Sequence, residues 1–310
     1  MRLLKILYLL TVVTLFVGCV KEDMSDCPPS FNTELTFSYQ GDDQNPVMFS
    51  QMIERVTLAV FDRTGAHILD KTVEKADLRT FQGVRIYLPE GDDYKIVCWG
   101  NAFEHTEILN NSYAAGRIYA PAFHTSPQGK ITTNDHLYFG EYAITVPPAE
   151  QMGDKVTVGD IPFKGAHINL EVYIKGFGQS DNTATYPVVE AYNLMPEYDF
   201  QMNKTQPYST TYYPTVVWDA TKSVMAARFQ VLHFANDNTV TIAIKEPGSL
   251  NEVKAEVNLK KYMAENNITV QDNAGNILNE ATVRILFEFI GLDFTIKLPD
   301  WGGGDIAPEI

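Results

Sequence analysis

Apolar and polar residues alternate along much of this chain. Glu34-Leu35-Thr36-Phe37-Ser38-Tyr39 is the first such run, and a period of two reads as a half-buried strand. Gly41-Asp42-Asp43 ends it. Arg55 to Asp62 repeats the pattern, with Val56, Leu58 and Val60 on one face. Asp62-Arg63-Thr64-Gly65 follows as a turn, and Ala66 to Val73 returns as the second arm of a hairpin. Val84 to Leu88 and Tyr94 to Trp99 are further strands, separated by the turn residues Pro89 to Asp93. Strands joined by such short turns predict antiparallel sheets, not alternating β and α units.

The pattern loosens between Glu104 and Gly129, which reads as a long surface connection with a short helix. It resumes in Leu137 to Gly140 and Ala143 to Val146, two strand candidates. Val156 to Pro162 and His167 to Lys175 read as a pair of strands, the second with Ile168, Leu170, Val172 and Ile174 on one face. Pro147-Pro148 and Gly153-Asp154 interrupt this region, so a domain junction is expected between Gly153 and Gly165.

Strands are predicted again at Pro187 to Leu194, Val216 to Trp218, Ala226 to His233 and Thr239 to Ile244. Asn236 to Asn238 and Asn251 to Lys254 read as turns. Leu259 to Asn266 is the clearest helix, with Leu259 and Met263 four apart on an apolar side. Val283 to Ile290 and Phe294 to Leu298 form a last pair of strands before Trp301 and a glycine-rich tail. The expected fold is all-β with few short helices: two antiparallel β-sandwich domains, at 31–158 and 159–310.

The start of the chain is built differently. Arg2 and Lys5 precede an uncharged run, Ile6 to Val17, which is shorter than the roughly 20 apolar residues of a membrane-spanning helix. A basic start, a short apolar core and the small Gly18 form a secretory signal over 1–18. Gly18-Cys19 resembles a bacterial lipobox, although Phe16 stands where leucine is usual and Leu15 lies one further back. That resemblance makes Cys19 the lipid attachment point and 19–30 an acylated tether. Lys21, Glu22 and Asp23 resemble the signal that carries outer-membrane lipoproteins to the cell surface. A merely solvated tether would have a similar composition.

Composition narrows the function. The 310 residues are 45% hydrophobic and 20% charged, as in a core-forming protein, and the net charge is −15. Such acidity disfavours binding to nucleic acid or to anionic headgroups. The 12% aromatic content fits pleated, half-buried surfaces. Beyond Cys19, only Cys27 and Cys98 remain, and an exported protein could bridge them; a buried free thiol at Cys98 is the alternative. The six histidines are scattered, with no metal-ligand or catalytic spacing, so no metal and no cofactor are expected. Trp99, Trp218 and Trp301 are candidate platforms for sugar rings, with core packing as the plainer role. Glu141 and Asp160 are the acids considered for a hydrolase, though carboxylates are too abundant here to mark a pair.

Several stretches, taken in order, resemble one family. They are Cys19 to Pro28, Val56 to Gly65, Leu88 to Asn101, Tyr198-Asp199-Phe200, Tyr213-Pro214, and the helix-strand-strand ending at Trp301. The chain is similar to the fimbrial anchor and minor-subunit lipoproteins of type V, protease-assembled fimbriae. The resemblance implies transthyretin-like β-sandwich domains and a non-enzymatic outer-membrane lipoprotein. It also implies partnership with fimbrial structural subunits, anchoring of a fimbria and control of its length. Strand donation is the implied mechanism, with backbone hydrogen bonds supplying affinity. In stalk subunits a protease that cuts at arginine removes an early strand. A cut at Arg55 here would sever everything after Leu35 to Tyr39 from the lipid. An anchor is therefore expected to keep its first strand and to meet its partner through Phe294 to Ile310. A surface glycan-binding lipoprotein is the alternative reading.

Overall fold

The computed structural model describes residues 30–125, 129–152, 155–178, 180–206, 209–248, 252–291 and 293–301. The fold is all-β, with sandwich-like pairs of sheets and few short helices.

The first half contains β1 (Thr33–Ser38), β2 (Arg55–Asp62), β3 (His67–Glu74), β4 (Gly83–Ile86) and β5 (Asp92–Gly100). Two short strands follow, β6 (Glu107–Leu109) and β7 (Arg117–Tyr119), then β8 (Tyr138–Val146) and β9 (Thr157–Gly165). Helices α1 (Met48–Met52) and α2 (Lys75–Thr80) lie between strands of this half, and α3 (Ala149–Met152) joins β8 to β9. The longer strands run in the order β3-β2-β5-β8-β9-β1-β4.

This sheet folds over at β9. The end of β9 pairs antiparallel with β8, Phe163 opposite Gly140, while its earlier residues pair parallel with β1, Leu35 opposite Gly159. Val56, Leu58 and Val60 of β2, with Ile96 and Cys98 of β5, therefore share one core with Leu35 and Phe37 of β1 and Ile161 of β9. The predicted hairpin between β2 and β3 forms. Its turn is held by the Asp62 carboxylate, which accepts from the Thr64 and Ala66 amides, and Gly65 supplies the positive φ of 82°.

The second half is a sandwich of two sheets. One has the order β14 (Val217–Asp219), β15 (Val224–Leu232), β10 (His167–Lys175), β18 (Thr282–Ile290), β19 (Asp293–Lys297). The other has the order β13 (Thr210–Tyr212), β11 (Val188–Leu194), β16 (Thr241–Lys245), β17 (Val253–Asn258). Helix α4 (Leu259–Glu265) follows β17, and its first turn is capped by Asn258, whose Oδ1 accepts from the Lys261 amide at 3.2 Å. Ile168, Leu170, Val172 and Ile174 of β10 point into the core between the two sheets, as their period predicts.

Four local expectations change. The runs at 137–140 and 143–146 are one strand, β8. The turn expected at Asn251 to Lys254 gives way to β17, which begins at Val253. The two strands read as partners, β9 and β10, do not pair. β9 lies between β8 and β1, and β10 lies between β15 and β18. Finally, the Pro/Gly interruption at 147–154 is the β8–β9 connection inside the first sandwich. Because β9 runs through residue 158, we propose the division of the two halves at Ala166 instead.

The halves are also interleaved. A small sheet of order β12-β7-β6 adds β12 (Glu197–Asp199) from the second half to two strands of the first. It covers the outer face of β2 and β5, so Phe61, Val97 and Trp99 are buried against Ile118, Tyr198 and Phe200. In return, Ala120, Phe123 and Ile131 insert into the core of the second sandwich.

Candidate docking edges

A sheet edge exposes unpaired backbone N–H and C=O groups, and proteins usually blunt it with charge, shortness or cover. Most edges here are blunted. β3 presents His67, Asp70, Lys71 and Glu74, with Glu74 paired to Arg55. β4 has four residues, and the Lys71 ammonium donates to its Arg85 carbonyl at 3.1 Å. β13 and β14 have three residues each, and Tyr212 of β13 is bridged to Ile131. β17 carries Lys254 and Glu256.

β19 is the exception. It pairs with β18 on one side only. Its register, Phe287 opposite Ile296, turns Phe294 and Ile296 towards the core side. Phe294 nevertheless remains 40% exposed, Leu298 just past the strand 46%, and Ile290 at the preceding turn 69%. The other side carries Thr295 and Lys297, and Lys297 Nζ is 2.7 Å from Glu288. Glu288 also pairs with Lys175, and the two ammonium groups, Lys297 foremost, hold its carboxyl down to about 2. The expected contact segment, Phe294 to Ile310, thus begins as a strand of the protein's own sheet. Residues 302–310 lie outside the described residues.

β1 is the opposite case. It has neighbours on both sides, β4 antiparallel and β9 parallel. Just before it, the Asn32 amide donates to the Leu88 carbonyl at 2.7 Å and its Oδ1 accepts from the Leu88 amide at 2.9 Å. Asp160 of β9 accepts from Thr36 Oγ1 at 2.8 Å and Ser38 Oγ at 2.7 Å. Arg85 of β4 pairs with Glu34 at 2.7 Å. Phe37 packs against Phe49 and Phe163 with centroids 6.0 and 5.7 Å apart.

β1 is also clasped to the second half. Tyr39, at its end, donates to the Glu280 carboxylate, and Tyr138 approaches the same oxygen at 3.4 Å. Asn279 donates from both its backbone and side chain to Asp42, and its Oδ1 accepts from the Gly165 amide. Burial pushes the Glu280 carboxyl up, against the lowering effect of the two tyrosine hydroxyls. Against Tyr138, with ring centroids 5.6 Å apart, His167 is fully buried, its ring 4.9 Å from that of His136, and burial pushes its imidazole down to about 3. No sequence motif marks Asn279 or Glu280. They are brought to Tyr39 and Asp42 only by the packing of the two halves.

The structure separates the remaining candidates. Cys98 is a free, fully buried thiol whose ionisation burial opposes. Cys19, Lys21, Glu22, Asp23 and Cys27 lie outside the described residues. Glu141 accepts from Tyr113 Oη at 2.7 Å and lies 3.6 Å from Lys95, while Asp160 serves β1, so each carboxylate already has a structural role. Trp99 is buried beside Phe139 and Phe200, and Trp301 packs edge-on against Tyr173. Trp218 is 37% exposed. Among the described residues, no three His, Cys, Asp or Glu side chains converge as a metal site, and no helix is long and apolar enough to cross a membrane.

Comparisons with known proteins agree with this architecture. A family model described as Fimbrillin-A associated anchor proteins Mfa1 and Mfa2 matches residues 24–303. The major fimbrium anchoring subunit FimB of Porphyromonas gingivalis is 30% identical over 97 residues, which is 31% of this chain and 31% of that protein. The match therefore spans less than a third of this curated relative. A candidate adhesin from Bacteroides ovatus has a similar fold, with a TM-score of 0.67 at 16% identity over 87% of this chain and 93% of that one. The fimbrial anchor protein Mfa2 from Porphyromonas gingivalis gives 0.60 at 15% identity over 85% and 94%. With the family model covering nearly all of the chain, the protein belongs to the Mfa1 and Mfa2 group of fimbrillin-A associated anchor proteins.

Proposed function

We propose that this protein holds a fimbria to the outer membrane and limits its length. Residues 1–18 act as the signal peptide, Cys19 carries the lipid, and Lys21, Glu22 and Asp23 address the protein to the cell surface. The fimbrial subunit is met at the outer edge of β19, by addition of a strand to the β14-β15-β10-β18-β19 sheet.

The contrast between β1 and β19 carries this reading. The strand next to the tether is enclosed by β4 and β9, and the last described strand is open on one side. A tether that ends in an enclosed strand bears load without giving up its first strand. An open edge with exposed apolar side chains offers backbone pairing to a second chain.

Alternation along β19 supplies the test. Of Thr295 and Ile296, one backbone N–H faces β18 and the other faces outward. Proline at the outward position should release fimbriae into the medium while leaving the protein folded. Proline at the other position should destabilise the β18–β19 hairpin itself. Loss of the whole protein should shed or lengthen fimbriae, and Cys19→Ala should take the protein out of the membrane fraction. Fimbriae that stay cell-bound at normal length without the protein would overturn the anchoring reading.

A further inference from the structure

We propose that the groove beside Trp218 is a binding subsite for a neutral sugar ring. This goes beyond the anchoring role and does not rest on it. The groove has a volume of about 530 Å³ and is bordered by Ile174, Phe177, Ser180, Asp181, Trp218 and Ser223. That volume falls within the roughly 300–1,000 Å³ of small-molecule sites.

The three tryptophans differ in what their rings can reach. Trp99 is enclosed between Phe139 and Phe200, and Trp301 lies against Tyr173 with its indole N–H buried. Trp218 sits on the short edge strand β14, opposite Met225, on the same side of the sheet as Ile174. Its ring is therefore partly open to solvent at the rim of the groove. An indole face of this kind takes the C–H face of a pyranose, which buries apolar surface and leaves the sugar hydroxyls free to bond sideways.

The polar groups for those hydroxyls are present. Ser180 and Ser223 offer hydroxyls, and Asp181 offers a carboxylate that forms no ion pair or hydrogen bond with the described residues. The wall is fixed in place. Tyr186 Oη donates to the Ser180 carbonyl at 2.9 Å. A Cβ at Gly176 would lie 2.2 Å from the Phe289 carbonyl oxygen, and one at Gly178 would lie 2.5 Å from that of Thr185. Only glycine allows these close approaches, so the loop packs directly onto its neighbours.

The charge of the ligand follows from what is missing at the rim. Among the described residues, no lysine or arginine borders the groove. Lys222, next to Ser223, is committed elsewhere, 3.2 Å from Tyr173 Oη and 3.9 Å from Asp219. With a carboxylate and no cation in the groove, an anionic sugar is disfavoured and a neutral one is accepted.

The test titrates the full chain in detergent with maltoheptaose, mannohexaose, xylohexaose and chitohexaose, and with heparin as the anionic probe. Tryptophan fluorescence reports binding where Trp218 is present, because it is the exposed indole, and titration calorimetry reports binding in every variant, Trp218→Ala included. At least one neutral oligosaccharide should shift the emission, and heparin should not. Trp218→Ala should weaken binding roughly tenfold or more, the scale of one lost aromatic contact. Asp181→Asn, which keeps the shape of the wall, should weaken it less. Three results would overturn the proposal: no neutral probe shifts the emission, binding survives in Trp218→Ala, or Trp218→Ala leaves all saccharides unbound as before but abolishes capture of fimbrial subunits. The last would make the groove part of a protein interface.

Discussion

β1 and β19 are both simple alternating strands with a phenylalanine on the core side, yet they occupy opposite mechanical situations. Phe37 of β1 is 2% exposed between two other rings, and Phe294 of β19 is 40% exposed. β1 is bonded along both sides, and β19 along one. A strand's own sequence does not reveal how many neighbours it will have. Enclosure comes from β4 and β9, whose ranges, Gly83–Ile86 and Thr157–Gly165, are remote in sequence from Thr33–Ser38.

The largest expected difference is in stability. Phe37→Ala should cost about 3–5 kcal/mol, the scale of an aromatic removed from a packed core. Phe294→Ala should cost no more than about 1 kcal/mol. Chemical denaturation of the two variants measures both, and equal losses would break the contrast between an enclosed and an open strand.

The next difference concerns the clasp that ties β1 to the second half. Glu280→Leu leaves the Tyr39 and Tyr138 hydroxyls without their carboxylate, for a loss of about 1–3 kcal/mol. The carboxyl of Glu280 is raised above its ordinary value of 4.5 by burial. Its contribution to stability is therefore fully present below 4.5 and is lost as pH rises through the raised value. Denaturation curves from below that point to neutrality should fall for the native chain and fall less for Glu280→Gln. Parallel curves would remove Glu280 from the clasp.

The smallest effect lies at the open edge and has the opposite sign. Glu288, paired with Lys297 and Lys175, is lowered from 4.5 to about 2. Its contribution is present above 4.5 and is lost as pH falls towards 2. Glu288 is half-buried but both lysines are exposed, so added salt should shrink the difference between the native chain and Glu288→Gln. A salt-independent difference would show that this edge is more enclosed than β19 appears in the fold.

Much of the strand inventory was legible because a period of two is a local property. Val56, Leu58 and Val60 face one core, as their spacing requires, and Ile168 to Ile174 face another. The β2–β3 turn was legible from Asp62 and Gly65, whose side-chain oxygen and positive φ make the turn by themselves. Strand partnership was not. β9 and β10 are neighbours in sequence and lie in different sheets. Trp99 gave no sign of its cover either, since Phe200 reaches it from the other half.

The sequence by itself determined the class of fold, because alternation, turn residues and the scarcity of helical spacing are written residue by residue. It also determined the family, through the order of several loose motifs. Tertiary structure alone decided which strand is enclosed, which edge is open, and which tryptophan faces solvent. Those properties depend on residues remote in sequence meeting in space, as Tyr39 meets Glu280, and no local pattern encodes such a meeting.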